Sequence, residues 1–126
     1  MTPEGFIENY AEVVFRSAVS TTIESLARPS GRQPPSDRIR ASAWFGELDK
    51  PDQAMVRWLI AAAAHAAAFG ALAMIDGVRQ TGPDRYELVA VDADGVRSTI
   101  SHLPGELHDL FQGVVLAPDG TLLVPT

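Results

Sequence analysis

WLIAAAAHAAAFGALAMI, Trp58 to Ile75, runs eighteen residues without Lys, Arg, Asp or Glu, and its reading decides the fold. That length reaches the lower limit for a helix crossing a bilayer. Its composition argues the other way, because more than half of it is Ala or Gly. The strong insertion residues Leu59, Ile60, Phe69, Leu72 and Ile75 together supply only about −1.5 to −3 kcal/mol, and His65 and Gly70 oppose even that. The segment therefore reads as the buried central helix of a soluble domain, with no membrane as partner.

Working outward, Asp49-Lys50-Pro51-Asp52 is a helix start, with Asp49 as cap and carboxylates in the first turn, and Asp76-Gly77 supplies the stop. The helix is predicted from Pro51 to Ile75. One side carries Met55, Trp58, Leu59, Ala62, Ala66, Phe69, Leu72 and Ala73, the other Ile60, Ala63, Ala64, Ala67, Ala71 and Met74. A helix apolar all round is expected to be covered all round, between the first helix and a sheet or at the seam of a homodimer.

Upstream, Thr2-Pro3-Glu4 opens a helix with a cap, a proline at the first position and an acid near the positive dipole end. Apolar positions recur at Ile7, Tyr10, Ala11, Val14, Ala18, Ile23 and Leu26, with Phe6, Val13, Phe15 and Val19 widening the stripe. Pro29 ends the helix near Ala27. Pro29 to Asp37 is a connector, after which Asp37 is expected to cap a short helix, Arg38 to Gly46, bringing Ile39, Ala43, Trp44 and Phe45 toward the core.

Downstream, YELVAVDADGVRSTIS predicts a hairpin turning at Asp94-Gly95. A two-residue turn there pairs Ala93 with Val96, Val91 with Ser98 and Val89 with Ile100 on a core face. Asp92 with Arg97, Ala90 with Thr99 and Leu88 with Ser101 then form the wetter face. Pro104-Gly105-Glu106 starts a short helix bearing Leu107, Leu110 and Phe111, and Val114 to Val124 reads as a second hairpin about Pro118-Asp119-Gly120. The fold class is thus α+β, a single domain over residues 1–126. Its N-terminal helices and long Ala-rich central helix (1–76) pack against a small antiparallel C-terminal sheet (77–126).

At 126 residues the chain suffices for one core. Cysteine is absent, which excludes disulfides, thiolate nucleophiles and Cys-ligated zinc. MTPEGFIENYAE has acids where an export signal carries Lys or Arg, so cytoplasmic residence is expected. Nine arginines to one lysine, beside so much alanine, points to a GC-rich bacterial genome. The net charge of −6 is concentrated after Ile75, where eight acids face three arginines. Such a surface disfavours nucleic acid and suits a protein partner with a basic surface, with Glu87, Asp92 and Asp94 as the partner-facing candidates.

Candidate chemistry is sparse. His102, His108, Asp109 and Asp76 form a conceivable metal set, but the six-residue histidine spacing, broken by Pro104-Gly105, does not match ligands on one helix, so no metal and no cofactor is expected. His65 reads as a buried neutral histidine, or, in an alternative ligand-binding or hydrolytic domain, as the base of a pocket walled by Trp44, Phe45, Trp58 and Phe69. Arg28, Arg32, Arg38 and Arg40 cluster around the connector without interleaved aromatics, which does not make a nucleic-acid site. No phosphate loop, metalloprotease or nucleophile-elbow motif is present, so no catalytic residue is assigned.

The run WFGELDKPDQAMVRWLIAAAAHAAAFGALAMIDGV, followed by strands and LHDLF, resembles a group of small uncharacterised bacterial α+β proteins. In that group a WF-x-x-L element precedes a long helix ending in DGV. The resemblance covers Trp44 to Phe111 and brings no catalytic residues. The absence of a catalytic constellation favours a non-enzymatic protein-binding module, the resemblance adds a similarity in general type to immunity partners of secreted toxins, and a purely structural homo-oligomer with the Ala-rich face as its seam is a further alternative.

Overall fold

The computed structural model describes residues 1–78, 82–101 and 106–126. The chain is α+β, as expected: α-helices α1 (Pro3–Tyr10), α2 (Ser17–Ala27), α3 (Ser36–Glu47) and α4 (Lys50–Ile75), strands β1 (Val89–Val91) and β2 (Arg97–Thr99), and α5 (Glu106–Val115). Thr2 caps α1 through Gly5 N–H at 3.0 Å, with Pro3 in the first turn.

Between α1 and α2 the backbone continues as a π-helical turn, Ala11–Arg16, in which Ser17 N–H donates to the Glu12 carbonyl five residues back. The buried residues explain what this wide turn achieves. Ile7, Ala11, Phe15 and Val19 are at most 1 % exposed and stand four apart. A strict four-residue spacing outruns the 3.6-residue α turn, and the i→i+5 turn takes up the drift, keeping the four in line on the core. It also corrects the expected stripe: Val13, Val14 and Ala18 are exposed, while Phe15 and Val19 are core. α2 ends at Ala27, and Arg28 before Pro29 is extended.

α3 begins at Ser36, earlier than expected. Pro35 holds the cap position, and Asp37 lies inside the first turn, where it accepts its neighbour Arg38 N–H rather than capping. Only Phe45 of its expected core residues is buried; Ile39, Ala43 and Trp44 face solvent. Asp49 caps α4 by accepting Asp52 N–H at 2.9 Å. Gly77, at φ 81°, ends α4 with Gly77 N–H donating to Met74 and Val78 N–H to Ala73, the paired bonds of a Schellman motif.

The core joins Ile7, Ala11, Phe15 and Val19 to Ala61, Ala68 and Leu72 of α4 and to Ile100, Leu107, Phe111 and Val115. α4 therefore packs on α2, the π turn and α5. Alanine lets a neighbour reach its backbone: the Tyr10 hydroxyl donates to the Ala68 carbonyl at 2.6 Å, and burial raises the Tyr10 pKa.

The hairpin register departs from expectation by one residue. Val89 pairs with Thr99, Ala90 with Ser98 and Val91 with Arg97. The reason lies in Asp92, whose Oδ1 accepts both Asp94 N–H and Val96 N–H at 2.9 Å. Gly95 N–H donates to the Asp92 carbonyl, and Gly95 takes φ 81°. The loop is therefore three residues, Ala93 to Gly95, a four-residue turn from Asp92 whose last residue is the left-handed glycine. A one-residue slip exchanges the faces. Leu88 and Ala90, expected on the wetter face, pack on the core beside Ile100, which is core as expected, whereas Val91 and Val96 are 57 % and 61 % exposed.

The expected start of the last helix at Pro104-Gly105 lies outside the described residues. α5 takes in Val114 and Val115, so the expected second hairpin reduces to one bridge, Leu116 to Leu122, around a turn at Asp119-Gly120. There the Thr121 side chain and N–H hold the Asp119 carboxyl below its ordinary pKa.

Candidate functional site

Two places carry unusual chemistry: a polar pair buried between α4 and α5, and the outer face of α4. The pair is Asp76 and His108. Asp76 is the C-cap of α4, its side chain wholly buried, and Oδ2 accepts two bonds of 2.8 Å, from the backbone N–H and from Nδ1 of His108. A carboxylate at a helix C-terminus faces the negative end of the dipole. It is placed there because His108 lies in the first turn of α5, whose N–H groups lack intrahelical acceptors. Asp76 thus ends one helix and caps the next. Acceptance by the carboxylate sets the ring proton on Nδ1 and leaves Nε2 directed at Asp109 Oδ1, 3.4 Å away. Oδ1 of Asp76 has no hydrogen-bond partner among the described residues.

One turn further along α5 from His108, Gln112 Oε1 meets His65 Nε2 at 3.0 Å. Its ring stacks on Phe69 and Phe111, with centroids 6.1 and 5.7 Å away, and stands edge-on to Phe15. Phe69 in turn meets His108 edge-to-face at 5.4 Å. His65 is therefore packed between rings and bonded to an amide. Of the expected pocket residues, only Phe69 is brought to it. Phe45 is buried beneath the Arg57 guanidinium, 5.6 Å from its ring, while Trp44 and Trp58 lie about half exposed. An open cleft of about 520 Å³ lies elsewhere, between α2 and α3, lined by Thr21, Ser25, Asp37 and Arg38 among others, with Arg38 donating to Ser25 across it.

Among the described residues no three His, Asp or Glu side chains gather as metal ligands; His102 of the conceivable metal set lies outside them. Glu87, Asp92 and Asp94 are all exposed, but the Asp92 carboxylate is engaged in its own turn.

The outer face of α4 departs most from expectation. Ala63, Ala66, Ala67 and Ala71 are exposed, flanked by Met55, Trp58 and Leu59 at one end and Met74 at the other. Of the most apolar eighteen-residue window, 22 % is buried within the chain, and by length and composition the helix is one that could cross a membrane. The helix that was to be covered all round is covered on one side. Sequence reasoning grouped Asp76 with His108 only as conceivable metal ligands and missed their direct hydrogen bonds, for which the local signal was an acid at a helix C-terminus, where the dipole favours a cation.

Comparison with known proteins finds no matching family model, no matching curated protein and no matching solved structure.

Proposed function

We propose that this is a non-enzymatic protein-binding module of the bacterial cytoplasm that binds through the outer face of α4. The observation that carries the reading is the exposed, uncharged apolar surface running from Met55 to Met74. Contiguous apolar surface of this extent on a small domain marks a contact site. Protein fits it better than lipid. Of the strong insertion residues in Trp58–Ile75, Leu72 is buried and Ile60, Phe69 and Ile75 pack against the core, leaving Leu59 alone on the outside. One leucine supplies about −0.5 kcal/mol of insertion free energy, which does not hold a helix in a bilayer.

Comparison of what co-purifies from the native host with the wild-type chain and with Leu59→Glu tests this. Loss of a specific protein from the folded variant supports the reading; identical partner sets, with self-association also unchanged, overturn it.

A second reading rests on Glu87 and Asp94, exposed on the hairpin side. An immunity-like role would set these carboxylates against the basic surface of a toxin. Reversal of both to Lys should then weaken the complex, as should raising salt, because exposed charges are screened within about 8 Å at physiological ionic strength. A complex indifferent to both removes this reading.

A further inference from the structure

We infer that the occupant of the outer face of α4 is a second copy of this chain, with the two α4 helices crossing antiparallel about a twofold axis between Ala66 and Ala67. The inference rests on the reading of that face as a protein-binding surface and names its partner.

Three observations carry it. The first is the order of side-chain sizes. Leu59 and Met74 are equidistant from the midpoint between Ala66 and Ala67, and so are Ala63 and Gly70. Large residues end the face and small ones fill its middle. A twofold interface must present the same patch to itself, and an antiparallel crossing at Ala66–Ala67 places Leu59 of each copy beside Met74 of the other. The small residues at the crossing allow the axes to come within about 8 Å, the short end of helix packing.

The second is charge. The chain carries −6, yet no Lys, Arg, Asp or Glu lies between Arg57 and Asp76, and His65, the one titratable residue there, is turned inward to Gln112. A second acidic chain therefore meets no like charge at the seam, whereas a basic partner would find no carboxylate to pair with.

The third is area. Met55, Trp58, Leu59 and Met74 are 57, 45, 54 and 44 % exposed. With the exposed alanines they offer on the order of 600 Å² per subunit, against about 800 Å² in an interface of standard size.

Absence of cysteine from the chain makes the test direct. Sedimentation of the purified protein is expected to give a dimer and that of Ala67→Glu a monomer with unchanged circular dichroism. Under mild oxidation Ala66→Cys should cross-link to itself. Leu59→Cys alone should not, but mixed with Met74→Cys it should form the mixed disulfide. Self-linking of Leu59→Cys without the mixed product would overturn the antiparallel seam. A wild-type monomer at about 100 μM would overturn the dimer, and flotation of that monomer with phosphatidylcholine–phosphatidylglycerol vesicles would assign the face to lipid. A monomer that loses a specific host protein on Leu59→Glu would overturn the second copy while leaving the protein-binding reading standing. Should Ala67→Glu fail to fold, the cysteine pairs alone decide.

Discussion

Oδ2 of Asp76 accepts both the backbone N–H and the ring Nδ1 of His108, each at 2.8 Å, so that one buried carboxylate joins the end of α4 to the beginning of α5. The two partners are unequal when removed. His108→Ala leaves a wholly buried carboxylate with a single donor and is expected to cost about 3–5 kcal/mol. Asp76→Ala leaves two donors unpaired but no buried charge and should cost about 1–3 kcal/mol. Urea unfolding of both variants and their double mutant checks this. Equal losses would contradict the asymmetry, and a double mutant that sums the singles would show that the contact contributes little.

Tyr10 sets an alkaline limit. Burial raises its pKa above the ordinary 10.0, so the folded state keeps a proton that the unfolded chain loses. The associated stability is fully present below pH 10 and declines as pH rises from there through the folded-state value. Absorbance titration should show an ionisation above the ordinary tyrosine range that is lost in Tyr10→Phe, and Tyr10→Phe should flatten the loss of stability above pH 10. Ionisation of Tyr10 at its ordinary value would contradict the burial.

The hairpin register predicts a contrast between apolar residues that look alike in sequence. Ile100→Ala should cost about 2–5 kcal/mol as a core truncation, whereas Val96→Thr should stay within about 0.5 kcal/mol. Gly95→Ala should cost about 1–2 kcal/mol from left-handed backbone strain alone, since nothing lies within 4 Å of the added carbon. Thermal or urea denaturation measures all three. A large loss at Val96 would restore the two-residue turn.

His65→Phe keeps a ring between Phe69 and Phe111 but leaves the Gln112 amide oxygen without its donor. It is expected to lose about 1–3 kcal/mol, and Gln112→Leu added to it should recover part of that. No recovery would mean that the bond seen at 3.0 Å contributes nothing.

What the sequence made legible was local. The start of α1 at Thr2-Pro3 and both ends of α4 follow from residues within one turn of each boundary. Misread features depended on distant or competing groups. Asp92 bonding its own loop turned a two-residue turn into a three-residue one, and that single residue exchanged the faces of the first strand while Ile100 of the second stayed in the core. Val114 and Val115 favour strand by type, but burial of Val115 against the helices holds them in α5. Asp76 and His108 are 32 residues apart and His65 and Gln112 are 47 apart, so neither pairing leaves a periodic trace. The outer face of α4 was legible as apolar but not as open, because the short hairpin enters the core without reaching round the helix.

The wide turn at Ala11–Arg16 makes residue number, rather than residue identity, the constrained quantity in the N-terminal helix. Each residue in an α-helix advances the side-chain direction by about 100°. The six residues hold one more than an α-helical path needs, so deleting an exposed one would let the segment close to an ordinary α-helix with Val19 and Ile23 still in phase with Ile7 and Ala11, whereas inserting one would turn them that far out of phase. A single-codon deletion there should be absorbed, while a single-codon insertion should act like a broken gear, leaving each half well formed and the two unable to mesh with the same neighbour.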